Sequence, residues 1–315
     1  MPPFILVIAK RVVRMVAMIW LIATAVFFAG RSLPSDPVTA TLGPGLRDPD
    51  TVRALRHSYG LDAPLASQYA NFLVRLPRGQ FGLSLTTGVP VKDEIGARLP
   101  VSLLLAGLAF VFACLFGLPM GGYLVSVADT RRDATITAAL AAVHSVPVYV
   151  LGIGVLYLFS YRLAWFPVLG GRATTQSWIL PVTTLGISLG AYLARLTRQT
   201  VLGLLPRLNL LALHSFGIPA RWIWLGHILR NAAPSVVTTM SIVLAYALAG
   251  NMLLEAVFSM RGVGQLLARA VLNRDYPLLQ GVAIWIATAF LLLNLTAEIV
   301  ALVLDPRIRG GYAAN

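Results

Sequence analysis

The sequence predicts an all-α polytopic membrane protein, and three observations carry that prediction. Of its 315 residues, 57% are hydrophobic and only 12% charged, about half the charge of an ordinary soluble domain. The apolar residues fall in long unbroken runs, not in the short alternating strands of a transmembrane barrel. The basic residues that raise the formal net charge to +13 flank those runs, where they set topology and meet anionic headgroups. Together these exclude disorder, collagen-like repeats, a coiled coil and an ordinary cytosolic enzyme. No lysine-rich run or basic patch interleaved with aromatics points to nucleic acid.

A spanning helix needs roughly 20 apolar residues. Six stretches meet that length, near 11–30, 99–126, 135–160, 178–200, 232–257 and 279–304. The first has a basic start (Lys10, Arg11, Arg14), but its apolar run is longer than a signal peptide's and no clear cleavage site follows, so it reads as an uncleaved helix. The chain thus divides into a cytoplasmic N-terminus with the first span (1–30), an extracytoplasmic cap (31–98), a core of five further spans (99–304) and a cytoplasmic tail (305–315). Placing both termini in the cytoplasm puts Arg131, Arg132, Arg195, Arg198, Arg207, Arg221, Arg230, Arg307 and Arg309 inside with few acids, as the positive-inside rule asks.

Within the cap, Pro34, Pro37, Gly43-Pro44-Gly45 and Pro49 are turn signals. Helices are expected around 50–58 and 64–76, with Asp48 or Asp50 as N-cap. The segment 258–278 reads as an outer loop carrying Gly262, Gly264, Asp275 and Pro277. The inner loop 201–231 is too long for a tight turn. It suits a short helix over Leu208–Phe216, a stop at Gly217 and a restart at Pro219. Such a stub can dock into a partner's groove through Leu208, Leu211 and Phe216, or lie on lipid.

Enzymatic chemistry is not indicated. His57, His144, His214 and His227 show no metal-site spacing, and there is no H-E-x-x-H, G-x-S-x-G or G-x-x-x-x-G-K-[ST]. The single cysteine, Cys114, lies in an apolar run, so neither a disulfide framework nor a cysteine zinc site can form within the chain. Glu298 is the one acid well inside a predicted span. It reads either as a gating or subunit contact or as an acid near a helix end that pairs locally or reaches water. Glu255 closes the fifth span, as the partner of a nearby arginine or as part of an external gate. A carrier driven by protons or sodium would normally show more buried ionisable groups and an inverted hydropathy repeat.

Several short motifs in order then resemble one family. These are Leu33-Pro34-Ser35-Asp36-Pro37, Tyr59-Gly60-Leu61-Asp62-Ala63-Pro64-Leu65 with Gln68-Tyr69, Phe81-Gly82-Leu83-Ser84 with Pro90-Val91, and Arg98-Leu99-Pro100. Later come Leu229-Arg230-Asn231-Ala232, Glu255-Ala256-Val257-Phe258 with Gly262-Val263-Gly264, Asp275-Tyr276-Pro277 with Gln280-Gly281, and Leu304-Asp305-Pro306-Arg307-Ile308-Arg309. The chain is similar to the inner-membrane permease subunits of ABC importers, in the dipeptide/oligopeptide/nickel group, and most like a dipeptide permease.

The resemblance implies the type I importer permease fold with an external cap after the first helix, in the bacterial inner membrane. It implies a second homologous permease, two ABC ATPase subunits that use ATP and Mg, and an extracytoplasmic solute-binding protein; no cofactor or metal is expected in this chain. Short peptides are the expected solute, with nickel, haem or another small solute as alternatives, and a secondary carrier as a further one. The loop 201–231 then corresponds to the ATPase-coupling loop, with Leu208, Leu211, Ala212, His214, Phe216, Gly217 and Arg221 as coupling residues. Gly217 matches the family glycine and Ala212 one of its alanines. Leu211, His214, Ser215 and Phe216 depart from the family's small and basic residues. Asp275, Tyr276 and Pro277 would belong to the platform for the solute-binding protein.

Overall fold

A computed structural model describes residues 2–31, 62–167, 175–205 and 228–304, with residues 50, 53, 56, 57, 219, 222 and 226 between them. These form α1 (Pro2–Arg31), α2 (Leu65–Arg75), α3 (Val91–Ser126), α4 (Arg131–Ser145), α5 (Val148–Val155), α6 (Thr175–Leu204), α7 (Leu229–Val257), α8 (Val263–Leu272) and α9 (Tyr276–Leu304). No β-strand occurs among the described residues, only an isolated bridge from Leu83 to Pro90. Helices α1, α3, α6, α7 and α9 are each long and apolar enough to cross a membrane. The remaining predicted span falls on two pieces, α4 and α5 with its π-helical extension Leu156–Arg162, which are bent by 94° and together are long and apolar enough for one broken passage.

That bend corrects the expectation of one continuous span near 135–160, and Pro147 explains it. The proline offers no N–H, and it drives the residue before it out of the helical region: Val146 sits at φ −77°, ψ 126°. Two other boundaries also differ from expectation. Helix α3 starts at Val91, inside the segment read as cap, directly after Pro90. The segment 258–278 is not a plain loop but contains α8, whose Val263, Leu266 and Ala270 are buried at helical spacing.

The core is the seam between α3 and α6. Small residues recur every four positions on α3 (Ala109, Ala113, Gly117, Gly121) and on α6 (Gly186, Gly190, Ala194), the arrangement by which membrane helices bring their backbones together. A β-carbon on Gly117 would stand 2.6 Å from the Gly190 carbonyl oxygen, and one on Gly121 2.7 Å from that of Ala194. Leu105, Leu185, Leu193, Val243 and Leu254 fill the space around the seam.

At the inner end the same pair is tied to α4. Thr130 caps α4, its hydroxyl accepting from the Asp133 amide at 3.3 Å. Asp133 is buried. Its carboxylate takes both arms of the Arg198 guanidinium on α6, the Nε bond being 2.7 Å, and also accepts from Thr137 at 3.2 Å. At the outer end α2 is strapped to α1. Arg31 lies 3.5 Å above the Phe27 ring and donates to Gln68 Oε1 through Nε and Nη2, at 3.1 and 2.9 Å. Phe27 also meets the rings of Tyr69 and Phe72.

Candidate functional site

The outer ends of α3, α7, α8 and α9 meet in a junction held by two buried carboxylates. Glu255 lies two residues before the end of α7 and is 0% exposed. The chain turns sharply after α7, with Ser259 in the left-handed region at φ 50°. This brings the start of α8 back over Glu255, whose Oε2 accepts from the Gly264 amide at 2.8 Å and from that of Gln265 at 3.4 Å. A carboxylate at the N-terminus of a helix satisfies amides that have no partner within the helix and meets the positive end of its dipole. Gly262 leaves room for this carboxylate, since a β-carbon there would lie 2.1 Å from Glu255 Oε2 and force it to move. Gly264 is under the same constraint, its β-carbon position being 2.2 Å from Met252 Cα.

Ser102 on α3 completes this half. Its hydroxyl accepts from the Val263 amide at 2.8 Å, while its carbonyl accepts from Asn251 Nδ2 at 3.0 Å. Beside it, α3, α7, α8 and α9 enclose a cavity of about 30 Å³ lined in part by Ser102, Asn251, Val263 and Trp285. That is space for a water, not for a solute.

The other half is Asp275, the N-cap of α9. Its Oδ1 accepts from the Leu278 amide at 3.2 Å, the N3 position that a capping aspartate serves. Its Oδ2 accepts from the Ser84 hydroxyl at 2.5 Å and the Thr86 amide at 3.0 Å. Ser84 belongs to a tight hairpin shaped by Gly82 at φ +90° and Gly88 at φ +71°, so Asp275 clamps the last stretch of the cap onto the start of α9. One carboxylate thus caps the start of α8 and the other the start of α9; both accept from backbone amides, and Asp275 also from a hydroxyl.

The sequence-derived residues are placed as follows. Glu255 contacts backbone amides, not an arginine. Glu298 lies 2.9 Å from the Arg11 guanidinium and is half exposed, an ion pair between α9 and α1. Asp275 and Tyr276 are buried and Pro277 is partly so; the exposed residues beside them are Val271, Leu272, Asn273 and Arg274. Leu208, Leu211, Ala212, His214, Phe216, Gly217 and Arg221 lie outside the described residues. Sequence reasoning missed Ser84, Ser102, Asp133 and Arg198. Thr130-x-x-Asp133 was a legible capping pattern, but the partners lie 65 to 191 residues apart. Among the described residues no group of three His, Cys, Asp or Glu gathers to hold a metal.

This architecture, apolar helices long enough to span a membrane and joined by a capped outer junction, is that of a multi-pass membrane protein. The chain belongs to the binding-protein-dependent transport system inner membrane components, whose family model matches residues 99–310. A model for the N-terminal part of such membrane components matches residues 4–106. It is an ABC importer permease, a multi-pass protein of the inner membrane.

Among its relatives are the glutathione transport system permease proteins GsiC of Shigella flexneri serotype 5b and Escherichia coli strain K12. Each is 32% identical over 303 residues, covering 96% of this chain and 98% of the relative. Of solved structures, the inward-facing MetNI methionine ABC transporter aligns with TM-score 0.59 and 16% identity over 67% of this chain and 96% of the other. That likeness shows the type I importer permease fold.

Proposed function

We propose that this chain is half of the pore of an ATP-driven importer for short peptides and peptide-like solutes. It pairs with a second homologous permease above two ATPase subunits and receives solute from an extracytoplasmic binding protein. The observation that carries the proposal is the near full-length similarity to permeases named for glutathione, a tripeptide. The chain itself does no chemistry; ATP and Mg are used by the ATPase subunits. The coupling loop 201–231, through Leu208, Leu211, Ala212, His214, Phe216, Gly217 and Arg221, transmits their closure to the spans.

In this reading the outer junction is the hinge of the external gate. Side-chain seams such as α3–α6 have one arrangement, whereas the carboxylate bonds of Glu255 and Asp275 can break to water and re-form, giving two states for ATP and the binding protein to bias. The face around α8, next to Asp275, Tyr276 and Pro277, would meet the binding protein. The test is uptake of labelled glutathione and dipeptides into proteoliposomes holding the complete complex. ATP-dependent uptake that requires the binding protein is expected, and replacing Phe216 and Gly217 by Asp should leave ATP hydrolysis while stopping uptake. Uptake driven by an ion gradient without ATPase subunits would refute the proposal.

A further inference from the structure

Three polar rings from three different helices meet at mid-depth in the bundle. His144, the next-to-last residue of α4, stacks on Tyr192 of α6 with centroids 4.9 Å apart and planes at 22°. Tyr192 meets Tyr246 of α7 edge to face at 6.0 Å. Tyr192 and Tyr246 each lie within about 5 Å of their helix midpoints at 1.5 Å rise per residue. His144 directly precedes the break at the centre of the bent passage. His144 is exposed, Tyr246 is 49% exposed and Tyr192 is partly so.

Hydrocarbon is a poor explanation for that exposure. Tyrosine prefers the membrane interfaces, and ionisable side chains at mid-depth face the bundle interior or water. Along the middle of α1 the exposed large side chains are Val16, Met18, Trp20 and Leu21, apolar but for one indole N–H. One turn beyond Tyr192 on α6, towards the cytoplasmic end and on the same helix face, stands Arg195, partly exposed.

We infer that the His144–Tyr192–Tyr246 rung and Arg195 line the water-filled path through the permease, and that Arg195 favours solutes carrying net negative charge. This rests on the importer reading for the existence of a path. The solute class follows from that guanidinium, which has no acidic partner among the described residues, beside hydroxyl and imidazole groups, an arrangement that suits a carboxylate-bearing solute.

The experiment uses the full complex in proteoliposomes with Cys114→Ser, which removes the only native thiol. Cysteines are introduced singly at Tyr246, at His144 as a second position and at Val16 as the lipid-facing control. Membrane-impermeant thiosulfonates, one anionic and one cationic, are then applied. Modification at 246 or 144 should be at least tenfold faster than at 16. The anionic-to-cationic rate ratio should fall several-fold when Arg195→Gln is added. Rates at both 246 and 144 no faster than at 16 would overturn the path assignment, and an unchanged ratio would overturn the role of Arg195. Glutathione uptake by the Cys114→Ser parent is measured in parallel: its absence counts against the peptide reading and leaves the accessibility result standing.

Discussion

The α3–α6 seam and the carboxylates of the outer junction are both buried, yet they are held together by opposite means. In the seam, glycines and alanines let two backbones touch, and every atom is fixed by the shape of its neighbour. In the junction, Glu255 and Asp275 reach across to amides and hydroxyls on other elements. Close packing gives one arrangement and fails by steric overlap. Directional bonds to backbone amides can be exchanged for bonds to water. A transporter needs both: a part that stays and a part that opens.

Substitutions can break or sharpen that contrast. The largest effect is expected for Gly117→Leu, whose side chain must displace the α6 backbone. A loss of about 3 kcal/mol, the upper end for overpacking, should appear as little monodisperse protein after solubilisation and a much lower melting temperature. Normal yield and melting would remove the distinction between the two regions. Next comes Glu255→Ala, which leaves the Gly264 and Gln265 amides without their acceptor. About 2 kcal/mol is expected for a charge-assisted bond, with faster hydrogen exchange confined to 259–268; exchange spread evenly over the protein would contradict a local hinge. A third effect is local to the inner end: Asp133→Asn should loosen the start of α4 against α6, read as faster exchange over 129–137. The smallest is expected for Arg11→Ala. Its partner Glu298 is half exposed although Arg11 itself is largely buried; pairs open to water contribute about 0.5 kcal/mol, so a large loss of stability would show that α1 is anchored through Arg11.

Much of the fold was legible because hydropathy reports length and apolarity directly, and five spans stand where the runs are. The broken passage escaped a window average, although Val146-Pro147 carried the local reason for it. Helix α8 escaped because ten residues are too few for a span, although Val263, Leu266, Leu267 and Ala270 keep helical spacing. The four-residue recurrence of Gly117, Gly121, Gly186 and Gly190 was there to be read as a seam. At the site, Glu255 was legible as the acid that closes the fifth span, and Asp275 through the motif it shares with Tyr276 and Pro277. Their partners could not be read, since Ser84 and Asp275 are 191 residues apart and only the folded chain brings them together. The same holds for Asp133 and Arg198, which local charge patterning treats as flanking residues.

The hinge assignment is tested most directly by locking it. In the Cys114→Ser background, Ser102→Cys with Val263→Cys puts one thiol on each of two residues that now meet through the Ser102 hydroxyl and the Val263 backbone amide, 2.8 Å apart. With the complete complex in proteoliposomes, oxidation should stop ATP-driven uptake and a thiol reductant should restore it. Full uptake with the cross-link verified as closed would show that the outer end of α8 never leaves α3, and that the gate lies elsewhere.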